Sequence, residues 1–181
     1  MKILVFAGSL RQESWNKKLA AQAAEILRGM GQEAEVYDIG GLPMLNEDLE
    51  KDGPPPRAAE FRAAVAGADA LVICTPEYNY SLPGPTKNAL DWLSRPPVNV
   101  LAGKTVAIAG ATSGHFGTVN AQRELRYVLA RLGAFVIPQP WVQVAYCEKK
   151  FDQAGRLTDG RTAEQLAELM AQLVATAQKL K

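Results

Sequence analysis

Histidine and cysteine are nearly missing from this chain of 181 residues: there is one histidine, His115, and there are two cysteines, Cys74 and Cys147. The scarcity excludes several chemistries. Two cysteines far apart and outside any CxxC pattern give neither a disulfide framework nor a zinc site. Cys74 falls inside an apolar run and reads as a small core hydrophobe. One loop histidine leaves no Ser/His/Asp set and no metal cluster, so no side chain is assigned as an acid, a base or a metal ligand. Excess charge is missing too. Twenty basic and 19 acidic residues leave a net charge of +1, with no basic run, so neither nucleic-acid nor membrane binding is expected. No stretch of about 18 apolar residues occurs. No charged segment leads into an apolar signal region, and the expected compartment is the cytoplasm. Repeats, linkers and low-complexity segments are absent as well. What is present, 48% hydrophobic and 22% charged residues, is the make-up of one globular domain with a proper core, spanning residues 1–181.

Strands and helices alternate along the chain. Lys2 to Ala7 is a short apolar strand. A polar turn follows, and Ser14 is a good N-cap for a helix to about Arg28, with Leu19, Ala23, Ile26 and Leu27 inward and Gly29 and Gly31 ending it. Glu33 to Ile39 alternates and reads as a second strand near a sheet edge. Gly40 to Pro56 is a loop longer than most connections, which points to function or to packing over a site. Arg57 to Gly67 is helical, with Phe61 and Val65 one turn apart. Ala70 to Cys74 is apolar without alternation, the mark of a fully buried strand. After the loop Thr75 to Pro85, a helix starts near Thr86 and carries Leu90 and Trp92. Lys104 to Gly110 is the fourth strand, Asn120 to Leu132 a helix closed by Gly133, and Ala134 to Ile137 the fifth strand. Pro138 to Tyr146 reads as irregular or extended. A last amphipathic helix runs from Arg161 to Leu180, with Leu166, Leu169, Met170, Leu173 and Val174 inward. Five βα units predict an α/β three-layer sandwich, a parallel sheet with helices on both faces. The flavodoxin-like order 2-1-3-4-5 needs five strands and the Rossmann order six, which favours the former.

Ligands in such sheets bind beyond the carboxyl ends of the strands, and three loops converge there. Gly8 to Asn16 opens the first helix, whose N–H groups carry partial positive charge. Ser9 and Ser14 add hydroxyls, Arg11 a charged fork and Asn16 an amide. The GxxxxGK[ST] spacing is absent, and GxGxxG would place glycines where Leu10 and Glu13 stand, so a terminal monophosphate fits better than a pyrophosphate. Read alone, the loop also fits a merely capped helix start. The second loop, Pro76-Glu77-Tyr78-Asn79-Tyr80-Ser81 with three prolines around it, is stiff, flat-faced and rich in hydrogen-bonding groups, which suits a planar aromatic ligand. Its alternative reading is a rigid connector. The third loop, Thr112 to Thr118, has small residues that let a backbone approach a ligand edge; a flexible turn is the alternative.

Two stretches, GSLRQESWN at 8–16 and TPEYNYSLPGPTKNALDWLSRP at 75–96, resemble the NADPH-dependent FMN reductase family, in particular its flavodoxin-like quinone and chromate reductases. The resemblance implies FMN held without a covalent bond, its phosphate on Ser9, Arg11, Ser14 and Asn16. The isoalloxazine ring would lie along Pro76, Glu77, Tyr78, Asn79, Tyr80 and Ser81, with a backbone N–H between Glu77 and Tyr80 facing flavin N5. Ser113 would touch the pyrimidine edge or the ribityl chain. NADPH or NADH would supply electrons, and quinones, chromate, azo compounds or free flavin would take them in ping-pong order. Relatives usually carry a glycine pair in the third loop, whereas here Gly117 is followed by Thr118. They are homodimers or homotetramers, which implies a subunit contact near Tyr80, Trp92, Arg95 and Arg126, with core packing the alternative for Trp92.

Two other functions compete. A flavodoxin-type electron carrier would be strongly acidic, and a net charge of +1 argues against it. A Rossmann-type NAD enzyme would use Asp38 on the ribose, but the missing glycine fingerprint opposes that, and Asp38 reads better as a strand-end cap.

Overall fold

The computed structural model describes residues 1–180, and it is built on one parallel sheet. Strands β1 (Lys2–Ala7), β2 (Glu33–Tyr37), β3 (Ala70–Cys74), β4 (Thr105–Ala111), β5 (Phe135–Val136) and β6 (Val142–Val144) alternate with helices α1 (Trp15–Gly29), α2 (Pro56–Ala66), α3 (Gly84–Leu93), α4 (Val119–Arg131) and α5 (Gly160–Lys179). The strand order is β2-β1-β3-β4-β5, the flavodoxin-like order, with β6 also paired to β4.

Strands β3 and β4 are buried along their whole length, and β1 everywhere but at Lys2, because both their faces are covered. One face presents small side chains, Ile3, Val5, Ala70, Val72, Cys74, Ala107 and Ala109, to α1 and α5. The other presents bulkier ones, Leu4, Phe6, Leu71, Ile73, Val106 and Ile108, to α2, α3 and α4. Phe61 of α2 meets Phe6 edge to face, 5.6 Å between ring centres, and truncating a ring buried like this costs about 3–5 kcal/mol. Cys74 lies in the first layer as the sequence suggested; burial pushes its thiol up to about 12. The expected edge position of β2 is also observed, since it ends the strand order beside β1.

The fifth strand lies within its expected bounds, and a sixth continues it. The two lie along the same side of β4: β5 pairs with Thr105 and Val106, β6 with Ala109, Gly110 and Ala111. Between them the chain leaves the ladder at Pro138 and Pro140, which cannot donate to it. The segment read as irregular or extended therefore contains a sixth strand. Two side chains of α4 serve the break. Gln122 donates to the Val142 carbonyl at 2.9 Å and Arg126 to the Ile137 carbonyl at 2.6 Å. The Arg126 guanidinium also lies 4.4 Å from the Trp141 ring centre, and burial lowers its pKa. Other differences are small. Strand β2 stops at Tyr37, α3 begins two residues before Thr86, and a short 3₁₀ helix, Glu47–Glu50, sits inside the long loop.

Candidate functional site

The loops after β1, β3 and β4 meet at the carboxyl edge of the sheet, as the topology requires. Gly8 follows β1, its N–H donating to the Cys74 carbonyl at 2.8 Å. A Cβ on Gly8 would lie 1.9 Å from Thr86 Oγ1, so the close approach of this loop to α3 requires glycine there. Ser14 caps α1, its Oγ accepting from the Asn16 N–H at 3.2 Å. Asn16 is buried, and its amide braces the fold. Nδ2 donates to the Ala111 carbonyl and Oδ1 accepts from the Ala111 N–H, both at 2.9 Å. The Asn16 side chain thus ties the start of α1 to the end of β4, and with its second Nδ2 hydrogen unused by these two bonds it also lines the cavity at this helix end. Ser9 behaves differently. It is 2% exposed, lines the cavity at this helix end, and its hydroxyl bonds to no described residue. Arg11 is exposed and spends one N–H on the Glu13 carbonyl, at 2.9 Å.

The second loop is a tight reverse turn. Tyr78 and Ser81 exchange backbone hydrogen bonds at 3.2 and 3.0 Å, and the residues between them, Asn79 and Tyr80, have φ of 50° and 63°. Positive φ at both central positions defines a type I′ turn, which usually contains glycine. Tyrosine there is an outlier that the surroundings must hold. The Glu77 carboxylate accepts from the N–H groups of Asn120 and Ala121 at 2.8 and 3.0 Å and from Asn120 Nδ2 at 3.1 Å. It thereby satisfies the amino end of α4, where Thr118 makes no side-chain cap. The Glu124 carboxylate accepts from the Ser81 hydroxyl at 2.6 Å and the Leu82 N–H at 2.9 Å. Glu77 and Ser81, read as ring-lining residues, thus direct their polar groups to α4.

The third loop is fixed from behind by β6 and the residues after it. Thr112 donates to Val144, Cys147 to Thr112 and Tyr146 to Gly114, at 2.9, 3.1 and 3.2 Å. Burial, with Glu148 adjoining, pushes the Cys147 thiol up to about 11. Thr118, where relatives were expected to have glycine, is left-handed (φ 68°) and fully buried. Its Oγ1 accepts from Gln122 Nε2 at 3.0 Å. Gly110 makes the room: a Cβ there would lie 2.0 Å from Thr118 Oγ1.

These loops enclose two cavities with Glu77 and Thr112 as common wall. The first, about 160 Å³, is lined by eight of the sequence-predicted residues, Ser9, Arg11, Ser14, Asn16, Pro76, Glu77, Tyr78 and Ser113. The second, about 420 Å³, takes Asn79 and Tyr80, with Gly114, His115 and Phe116. Ser81 lines neither. The rings of the second cavity are in contact: His115 and Phe116 lie 3.8 Å apart and Phe116 and Tyr80 6.1 Å. Sequence reasoning missed Trp15, Thr112, Phe116 and Glu124. Trp15, next to the cap, was the most accessible of them; its ring stacks on Phe151 at 5.3 Å. Of the four residues expected at a subunit contact, Trp92 is fully buried and donates to the Pro43 carbonyl at 2.7 Å, so core packing is its role. Arg126 turns inward to the broken strand, Arg95 pairs with Glu50 at 2.6 Å, and Tyr80 stays 68% exposed. Asp38 caps a turn, accepting from the Gly40 N–H at 3.0 Å.

Comparison with known proteins agrees with this geometry. The family model described as NADPH-dependent FMN reductase matches residues 1–149. An NAD(P)H-dependent FMN reductase of Pseudomonas aeruginosa is 41% identical over 181 residues, covering all of this chain and 97% of the relative. An NAD(P)H:quinone oxidoreductase of Solanum tuberosum is 41% identical over 186 residues, covering all of this chain and 95% of that one. Among solved structures, the flavoenzyme NAD(P)H:(acceptor) oxidoreductase FerB of Paracoccus denitrificans superposes with a TM-score of 0.89 at 32% identity, over 98% of this chain and 97% of that chain.

Proposed function

The chain belongs to the NADPH-dependent FMN reductase family, and from that premise we propose that it is an FMN-dependent NAD(P)H oxidoreductase whose acceptors are quinones. The observation that carries the reading is the pair of adjacent cavities, one polar at a helix start and one walled by aromatic rings. The Ser9 hydroxyl, which faces the first cavity and bonds to no described residue, is the donor such a site would keep for a phosphate, and Arg11 adds charge at the same end of α1. The residues present therefore fit FMN. Ser9, Arg11 and the amino end of α1 would hold the phosphate, Ser14 and Asn16 keeping that end in place. Pro76, Glu77, Tyr78, Asn79, Tyr80 and Ser113 would bound the ring, and Ser81 would act through the turn. Bound there, FMN supplies the two-electron chemistry that the side chains lack.

The protein's part is to orient and to exclude. Backbone N–H groups of Asn79 and Tyr80 lie outside the turn's own two hydrogen bonds and are the donors on offer to the ring. Tyr80, Phe116 and His115 form an open aromatic wall where a flat nicotinamide and then a flat quinone would stack in turn, which gives ping-pong kinetics. Chromate, azo compounds and free flavin are further candidate acceptors, because the wall is built for shape rather than for one functional group. We also assign the protein to the cytoplasm, as a homodimer or homotetramer with Tyr80 near the contact. The test is direct. The purified protein should be yellow, release FMN on denaturation, and oxidise NADPH or NADH when menadione is added. A colourless preparation that FMN cannot reconstitute would refute the assignment.

A further inference from the structure

The two left-handed residues of the second loop are not held by their own burial, since Tyr80 is largely exposed. They are held by ties on either side to a single helix. Before the turn, Glu77 reaches the first residues of α4. Just after it, Glu124, one turn further along α4, accepts from Ser81 and Leu82 with the same oxygen, Oε2. The Glu77 carboxylate also completes the helix end, so it has a second reason to be there. Glu124 has none. It is exposed, and among the described residues its hydrogen bonds are the two to the Ser81 hydroxyl and the Leu82 N–H. A side chain with that single task, beside a tyrosine held at positive φ, is a support for the conformation and not for the fold.

We propose that Glu124 is a positioning residue for the reaction: it keeps Asn79 and Tyr80 left-handed, so that their free amides and the Tyr80 ring stay registered against the second cavity. The inference rests on the flavin reading above. It goes further in assigning to α4 the control of the loop that meets the ring. Without the Glu124 tie, the turn can relax toward ordinary backbone angles, and the donors on offer to the ring lose their register.

The test compares Glu124→Ala, Glu124→Gln and the double variant Glu124→Ala/Asn79→Gly with the wild type, all as holoenzyme. Glu124→Ala should speed hydrogen exchange at the Ser81 and Leu82 amides. It should also raise the FMN dissociation constant about five- to tenfold, the loss of one charge-assisted contact, and shift the visible flavin absorption band. Thermal stability should barely move. Glu124→Gln keeps the acceptor oxygen and should restore wild-type exchange and spectrum. Glycine at 79 favours positive φ, so the double variant should recover part of the FMN affinity, which a merely structural role would not produce. Faster exchange in Glu124→Ala with an unchanged flavin band and dissociation constant would overturn the proposal and leave the flavin site standing. Unchanged exchange would overturn it as well. A wild-type protein that takes up no FMN would overturn the cofactor reading first, and this proposal with it.

Discussion

The first and second loops do comparable jobs by opposite means. In the loop from Gly8 to Asn16, the polar side chains nearest the helix are satisfied by the protein itself: Ser14 caps α1 and Asn16 clamps Ala111. Ser9 and Arg11 add donors that are not engaged in bracing the helix start. In the turn from Tyr78 to Ser81, the backbone is strained and outward-facing, and what holds it lies on another element. One loop is preorganised by satisfied hydrogen bonds, the other by ties that hold strain. The difference says where stability and function can be separated. Damage to the first loop's clamp should reach the fold, whereas changes in the turn should reach turnover and leave the fold intact.

The largest effect tests the clamp. Asn16→Ala leaves a buried N–H and carbonyl of β4 without partners and should cost about 2–4 kcal/mol, seen as a melting temperature lower by roughly 5–15 °C. A loss below about 0.5 kcal/mol would erase the contrast between the loops. Next comes Arg11→Ala, which removes charge but no core contact. The FMN dissociation constant should rise about 10- to 100-fold by equilibrium titration, with the melting temperature of the apoprotein unchanged. Equal affinity would remove Arg11 from the phosphate end. Tyr80→Asn sharpens the other half. Asparagine tolerates positive φ better than tyrosine, so the apoprotein should gain about 0.5–1 kcal/mol in denaturant unfolding. Quinone turnover should fall because the ring is gone; a variant that is both more stable and fully active would show that the strain serves nothing. The smallest effect is a control beside the third loop. Burial holds the Cys74 and Cys147 thiols up at about 12 and about 11, so little thiolate exists near neutrality and more appears only as pH rises toward those values. At pH 8 neither should react with iodoacetamide until the protein unfolds, as read by mass spectrometry.

Much of the fold could be read directly from residue pattern. Ala70 to Cys74 is apolar without a break because both its faces are covered, and Gly31, just past α1, stands at positive φ where the chain turns. The fifth strand was half legible. Its second half is three residues long and preceded by Pro138 and Pro140, so it carries no periodicity; it exists because β4 is longer than β5 and has ladder positions to fill. The site was legible as a set of loops but not as a set of bonds. Asn16 in the sequence is an amide beside a helix start, and only the position of Ala111 reveals it as a clamp. The I′ turn was hidden because Asn-Tyr lacks the glycine that normally signals it. Glu124 could not be found at all from sequence, since its partners lie more than 40 residues away. Thr118 runs the other way: the departure from glycine was visible, and the structure supplies the reason it is tolerated, the missing side chain at Gly110.

The break in the fifth strand has a bearing on how the molecule keeps to itself. An open sheet has two sides on which a stray chain could add a strand. Here one side is cut in two by a proline-bearing detour, with Gln122 and Arg126 already occupying carbonyls that a newcomer would need. A foreign strand laid along that side would find only short runs of ladder, so crowding and heat should drive association through β2 in preference.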